Sequence, residues 1–272
     1  MARIAADEDI TAKQPPTISL AFANKLYNTA EKALQLDEAQ TRLLVDQQLR
    51  DAGWEADTET LRHGAGVRPQ KGRNLAIAEW PTKDGRADYM FFVGLTPVAA
   101  VEAKKLRKDV PAALEQAARY SRGYVPTDGE LVPESGPWDG HAIPFLLATN
   151  GHPFLKQIRT KSGIWFRDVR RSTNIDRPLV AWPSPEGLMD QLRQDIPAAD
   201  AALAIMNPGF LDLRDYQPEA LSETEKAVAG GPRNILLAMA TGTGKKRNCI
   251  GVLYRFCTVN TFRRIRVLSR IH

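Results

Sequence analysis

Apolar and polar residues alternate along this chain in two textures. From about Ser19 to Ala52 the apolar positions follow helical spacing, with Val45, Leu49 and Ala52 at i, i+4 and i+7. Gly53 then ends the run, as a glycine does just past a helix C-terminus. From about Asn74 the pattern changes to short apolar runs bounded by turn residues. LAIAEW, ADYMFFV and VAAVEAK each predict a strand, separated by Pro81–Gly85 and Gly94–Pro97. A stretch poor in Gly and Pro predicts a helix from Val110 to Arg122. After a loop over 123–143, PFLLATNG and GIWFRDVR predict two more strands. Residues 184–210 read as helix and then loop, ending near Asn207-Pro208-Gly209. Beyond them come a helix over 215–230, a strand over NILLAMA, a Gly-rich turn, a helix over 245–257 and a last strand near 264–268. Helices and strands mix throughout, which predicts an α/β fold.

Length and charge narrow this picture. The 272 residues suffice for one large domain or two small ones. The net charge is +5, but residues 233–272 hold nine basic side chains and no acidic one, leaving residues 1–232 at −4. The basic balance belongs to the tail and does not describe a polyanion-binding surface over the whole chain. No apolar run approaches the roughly 18 residues that span a bilayer. The leader MARIAADEDITAKQPP has no apolar segment of the secretory kind. The two cysteines, Cys249 and Cys257, form no framework, and four scattered histidines exclude a Cys/His zinc site. A soluble protein of the reducing cytoplasm, with no membrane partner, is expected.

The first candidate chemistry lies on the predicted strands. Glu102 and Lys104 share a face because strand side chains alternate. Whether Asp88 joins them depends on the turn: an odd-length loop centred on Leu95 sets Asp88 opposite Glu102, and an even loop separates them. The odd loop is expected. Asp88 and Glu102 are embedded in apolar runs, where unpaired charges are costly, so two carboxylates there need a shared partner. Hard oxygen donors suit Mg²⁺. Such a metal activates water and offsets phosphate charge, while Lys104 would stabilise developing negative charge. A merely charged strand end is the plainer alternative.

The pattern D-x13-E-A-K over Asp88, Glu102 and Lys104, followed by Gln116 and Tyr120 as Q-x3-Y, resembles the PD-(D/E)xK nuclease core of type I restriction enzyme R (HsdR) subunits. E-x2-T-R at Glu38 to Arg42, AGW at 52–54, AEWPT at 78–82 and LLATNG at 146–151 fit the same resemblance. It implies a mixed sheet flanked by helices. It also implies double-stranded DNA as substrate, Gln116 and Tyr120 beside the active site, and association with separate M and S subunits. In related nuclease cores a helix Glu can join the site; here that is Glu38, with an ordinary solvated charge as the alternative. Lys104, Lys105, Arg107 and Lys108 are candidate phosphate contacts or an ordinary charged surface.

The second candidate is ATGTGKK at 240–246, where a predicted strand runs into a Gly-rich turn and then a helix. Glycines let backbone N–H groups approach phosphates, and the helix N-terminus favours the anion. The residues Thr241, Gly242, Thr243, Gly244 and Lys245 resemble motif I of superfamily 2 helicases, and LRDYQ ending at Gln217 resembles their adenine-reading Q motif. ATP binding and a RecA-like motor domain are thereby implied. Two departures stand out. Lys246 replaces the family's Mg²⁺-ligating Thr, which predicts absent or impaired ATP hydrolysis. The sequence ends at His272 with no DExH motif, which predicts a truncated motor. The expected layout is a flexible leader over 1–22, a nuclease domain over 23–185, a linker over 186–210 and the motor fragment over 211–272. A degenerate remnant that binds DNA or nucleotide without cutting is the main alternative.

Overall fold

A computed structural model describes residues 38–104, 109–127, 129–207, 212–230 and 235–259. The elements, in chain order, begin with α1 (Glu38–Asp51) and a two-residue strand β1 (Glu55–Ala56). Three long strands follow: β2 (Asn74–Thr82), β3 (Gly85–Val93) and β4 (Thr96–Ala103). Helix α2 (Val110–Arg122) leads to β5 (Phe145–Thr149), β6 (Ile164–Asp168) and β7 (Arg177–Leu179). Helices α3 (Pro185–Leu192), α4 (Ile196–Ile205), α5 (Gln217–Ala229) and α6 (Lys245–Thr258) complete the described part.

The seven strands form one mixed sheet in sequence order. β1 and β2 are parallel, β2–β3–β4 form an antiparallel meander, β4 and β5 are parallel, and β5–β6–β7 are antiparallel. The parallel β4–β5 step requires a crossover, which α2 provides. Asp109 caps this helix by accepting the Ala112 N–H at 3.0 Å, and Pro111 fits the first turn, where an amide donor is not needed.

Strands β2 to β5 read as nearly continuous apolar runs because helices cover both faces of the sheet. On one face Leu75, Ile77, Met90, Phe92, Ala100 and Leu146 pack against Ala113, Leu114, Ala117 and Ala118 of α2. On the other, Ala76, Tyr89, Phe91, Val101 and Leu147 pack against Val45 and Leu49 of α1 and Leu188 of α3. The sheet is therefore the middle of three layers, as an α/β fold requires. Residues 186–210, expected as a linker, hold the rest of α3 and all of α4, and α3 contributes to this core.

Sequence and structure differ in two places, and part of the expected chain lies outside the described residues. The helix expected from Ser19 is described only from Glu38, the rest lying outside the described residues along with the leader and the strand near 264–268. NILLAMA does not form a strand: residues 235–240 are irregular backbone, with Leu236 92% exposed. A strand exists through its ladder, and among the described residues none runs beside this segment to supply one. The short strands β1 and β7, with two and three residues, carry too few positions to show alternation in the sequence.

The C-terminal helices are tied together by one buried cation. Arg255 of α6 donates to the Leu203 carbonyl at 2.9 Å and to the Met206 carbonyl, and it pairs with Glu225 of α5. Among the described residues no helix is long and apolar enough to cross a membrane.

Candidate active site

Asp88 and Glu102 do face each other, though by a different route from the one expected. Val93 pairs with Thr96, so the β3–β4 turn holds two residues, Gly94 and Leu95. Gly94 takes φ +60°, as the first position of a two-residue hairpin turn of this hand demands. This even loop by itself would put Asp88 and Glu102 on opposite faces. The register shifts, however, between Phe91↔Ala99 and Phe92↔Pro97, leaving Val98 as one extra residue in β4. Beyond this bulge Tyr89 pairs with Val101, and the next step sets Asp88 across from Glu102. The expectation of an odd loop is thus corrected, while the juxtaposition it served is present.

Glu102 is linked to α2 through Lys104, and Asp88 stands near Arg42 of α1. Asp88 Oδ2 accepts the Ala103 N–H at 2.7 Å. Glu102 is only 4% exposed. Its carboxyl is pushed up to about 7, first by burial and then by the neighbouring Asp88 charge, with Lys104 opposing. Burial raises Asp88 as well, against the Ala103 N–H and the Arg42 and Lys104 charges. The two carboxyls are neighbours across the strand pair, and each acts on the other's charge. Such a pair favours either a shared proton or an added cation.

Lys104 is the cation already present. Its Nζ donates to the Glu102 carboxylate and, at 2.7 Å, to Gln116 Oε1. Gln116 Nε2 in turn donates to the Tyr120 hydroxyl. Gln116 and Tyr120 are four residues apart on α2, so they share one face of the helix. The helix that crosses between β4 and β5 thereby holds the ammonium group in place, and burial raises the Tyr120 hydroxyl above its ordinary value.

The structure adds two groups that sequence reasoning did not assign. Arg42 of α1 places Nη2 3.7 Å from Asp88 Oδ1 and Nη1 3.6 Å from Glu79 Oε1. Glu79 lies in β2 opposite Asp88, at φ +54°. Both residues sit in segments that carried the family resemblance, but nothing in the sequence shows a left-handed residue inside a strand. Glu38 opens α1 and its side chain lies outside the described set, as do Lys105, Arg107 and Lys108.

Among the described residues no group of three or more His, Cys, Asp or Glu side chains is arranged to hold a metal ion. Mg²⁺ commonly takes only one or two protein carboxylates and keeps several waters. The donor set of Asp88 and Glu102, two adjacent hard-oxygen groups whose charges repel, fits that habit.

The Gly-rich segment forms a turn at 241–243 leading into α6. Gly242 and Gly244 take φ +80° and +77°, and Gly244 occupies the N-cap of α6. Gln217 is fully buried against this turn. Its Nε2 donates to the Thr243 and Gly244 carbonyls at 3.3 and 3.1 Å, and its Oε1 accepts the Arg214 N–H. A Cβ at Gly244 would meet Gln217 Nε2 at 2.6 Å and displace that amide, and the φ of +77° itself favours glycine. Thr243 Oγ1 donates to the Ala240 carbonyl. Lys245 and Lys246 are exposed on the first turn of α6.

Sequence comparison places the chain among restriction-enzyme subunits. Residues 55–192 match the family described as the type I restriction enzyme EcoKI endonuclease subunit second domain, and residues 210–269 match the type III restriction enzyme res subunit family. The chain belongs to the type I restriction endonuclease subunit family. It is 42% identical to the type I restriction enzyme EcoKI endonuclease subunit of Escherichia coli (strain K12), over 93% of this chain and 24% of that one. It is 26% identical to the EcoAI endonuclease subunit of Escherichia coli, over 80% of this chain and 25% of that one. The chain thus spans about a quarter of the length of these relatives. A solved fragment described as an HsdR subunit of a type I restriction enzyme from Vibrio vulnificus YJ016 matches with a TM-score of 0.35 at 23% identity, over 83% of this chain and 39% of that one.

Proposed function

We propose that this chain carries the nuclease site of a type I restriction R subunit and cleaves double-stranded DNA in a Mg²⁺-dependent reaction. Asp88 and Glu102 are the carboxylates that would hold the metal, and Lys104 is the catalytic cation. The observation that carries this reading is the bulge-set register that brings Asp88 and Glu102 together beside a lysine anchored by Gln116. A bound Mg²⁺ supplies an activated water and offsets charge on the scissile phosphate. Lys104 does the rest from a fixed position: its ammonium group stands beside Glu102, where it can orient the attacking water and meet negative charge developing on phosphate. Gln116 limits the freedom of Lys104, so the charge is already placed when substrate arrives.

The second site would bind ATP through Thr241, Gly242, Thr243, Gly244 and Lys245, with Gln217 bracing the turn. Hydrolysis would be absent or severely impaired, since Lys246 offers an ammonium group where a hydroxyl is needed for Mg²⁺. That substitution also favours the second reading, a non-catalytic remnant that binds DNA or nucleotide. Partnership with M and S subunits, which supply target choice, belongs to the first reading. Plasmid DNA incubated with the chain and Mg²⁺ should be nicked or linearised, EDTA should stop the reaction, and Glu102→Ala should abolish it. Cleavage that persists in Glu102→Ala, or none in the wild type, would reject the nuclease assignment.

A further inference from the structure

Arg42 reaches the site from a rigid helix. Val45 and Leu49 of α1 are fully buried. Asp46, one turn after Arg42, accepts the Thr58 N–H and hydroxyl at 2.8 Å each and the Tyr89 hydroxyl at 2.9 Å. These contacts fix α1 against the strand that carries Asp88, so the point from which Arg42 projects is set by the fold.

Glu79 meets the same guanidinium from the neighbouring strand. The pairs Ala78↔Tyr89 and Trp80↔Ala87 bracket Glu79 and set it opposite Asp88. Its φ of +54° lies in the left-handed region that side chains other than Gly, Asn and Asp rarely adopt. Backbone strain of this kind persists where the surrounding structure enforces it, and it gathers at functional sites.

Three carboxylates, Glu79, Asp88 and Glu102, therefore meet two cations. Lys104 is engaged by Glu102 and Gln116, and Arg42 stands between Asp88 and Glu79. Its contacts of 3.6 and 3.7 Å exceed hydrogen-bond length, so the guanidinium screens both acids without closing on either. Asp88 Oδ2 already accepts the Ala103 N–H, and Oδ1 faces Arg42, so a cation that binds Asp88 through Oδ1 meets the guanidinium there.

We propose that Arg42 is a resident counter-ion, which neutralises Asp88 and Glu79 in the metal-free site and gives way when a divalent cation takes Asp88. Glu79 is the carboxylate that retains the guanidinium after that exchange. This inference rests on the nuclease reading above. Arg42 and the metal compete for one oxygen, so Arg42 lowers the affinity for metal while stabilising the protein without it.

The test is calorimetric titration of Mg²⁺ into the full chain, with thermal melts in Mg²⁺ and in EDTA. Arg42→Gln should bind Mg²⁺ about two- to fivefold more tightly, the range of one partly exposed charge contact. It should also melt below the wild type in EDTA and recover most of that difference in Mg²⁺. Glu79→Gln leaves the guanidinium to Asp88 and should bind Mg²⁺ more weakly, and adding Arg42→Gln to it should restore affinity. Equal or weaker binding by Arg42→Gln would overturn the assignment, because Arg42 would then support the metal site instead of competing for it. If Arg42→Gln does not fold, Glu79→Gln alone decides: unchanged affinity overturns the proposal. No Mg²⁺ binding by the wild type would instead overturn the nuclease reading.

Discussion

Replacing Glu102 with Gln should make the protein more stable even as it abolishes cleavage, and the gain should grow with pH. Glu102 is 4% exposed, and burial together with Asp88 raises its carboxyl from an ordinary 4.5 to about 7. A carboxyl whose folded value is raised binds its proton more tightly in the folded state than in the unfolded one. Stability is then greatest at low pH and falls as pH climbs from about 4.5 to about 7, with no further loss above. The gap between the two values corresponds to about 3 kcal/mol, since one pKa unit is about 1.4 kcal/mol. The Lys104 attraction already offsets part of the burial cost within that figure. Gln has the shape of the neutral acid without its titration, so it should recover about 1–3 kcal/mol at pH 8 and little near pH 5. Urea unfolding in EDTA, followed by tryptophan fluorescence at both pH values, measures the difference. Added Mg²⁺ should narrow it at pH 8 by stabilising the wild type. A Glu102→Gln protein that is less stable at pH 8, or shifted equally at both pH values, would refute the view that Glu102 is held as a destabilised anion.

Two further outcomes probe the surroundings of the site and the far end of the chain. Gln116→Leu keeps the bulk of the side chain but releases both Lys104 and Tyr120, so plasmid cleavage should fall about 10–100-fold with the melting temperature little changed. Unaltered cleavage would show that Gln116 does not position Lys104. Arg255→Met leaves Glu225 and the end of α4 without their buried partner and should cost about 3 kcal/mol, with faster amide exchange in α4 and α6. Exchange confined to α6 would show that the clamp does not couple the two helices.

The meander was legible because its strands are buried on both faces, so β2, β3 and β4 appear as apolar runs between turn residues. Asp88, Glu102 and Lys104 stood out for the same reason, as charges set in apolar surroundings. Register was not legible. Val98 is one more apolar residue in an apolar run, and no local pattern marks it as the position that slips. Glu79 was hidden because its backbone conformation comes from tertiary packing rather than from its own preference. NILLAMA shows the opposite failure: its composition is that of a buried strand, but a strand forms only where a neighbour completes the ladder. In α3, Leu188 lies within a stretch taken for a linker, and its burial follows from the sheet face that it covers.

The extra residue at Val98 makes the site a question of parity. A single deletion in β4, or a single insertion at Gly94-Leu95, would turn Asp88 and Glu102 to opposite sides of the sheet while every residue of the motif stayed in place. Made together, the two changes cancel. Spacing between these acids is therefore free to drift only in compensated pairs, and both acids and the lysine, correctly ordered in a chain, do not by themselves make a site.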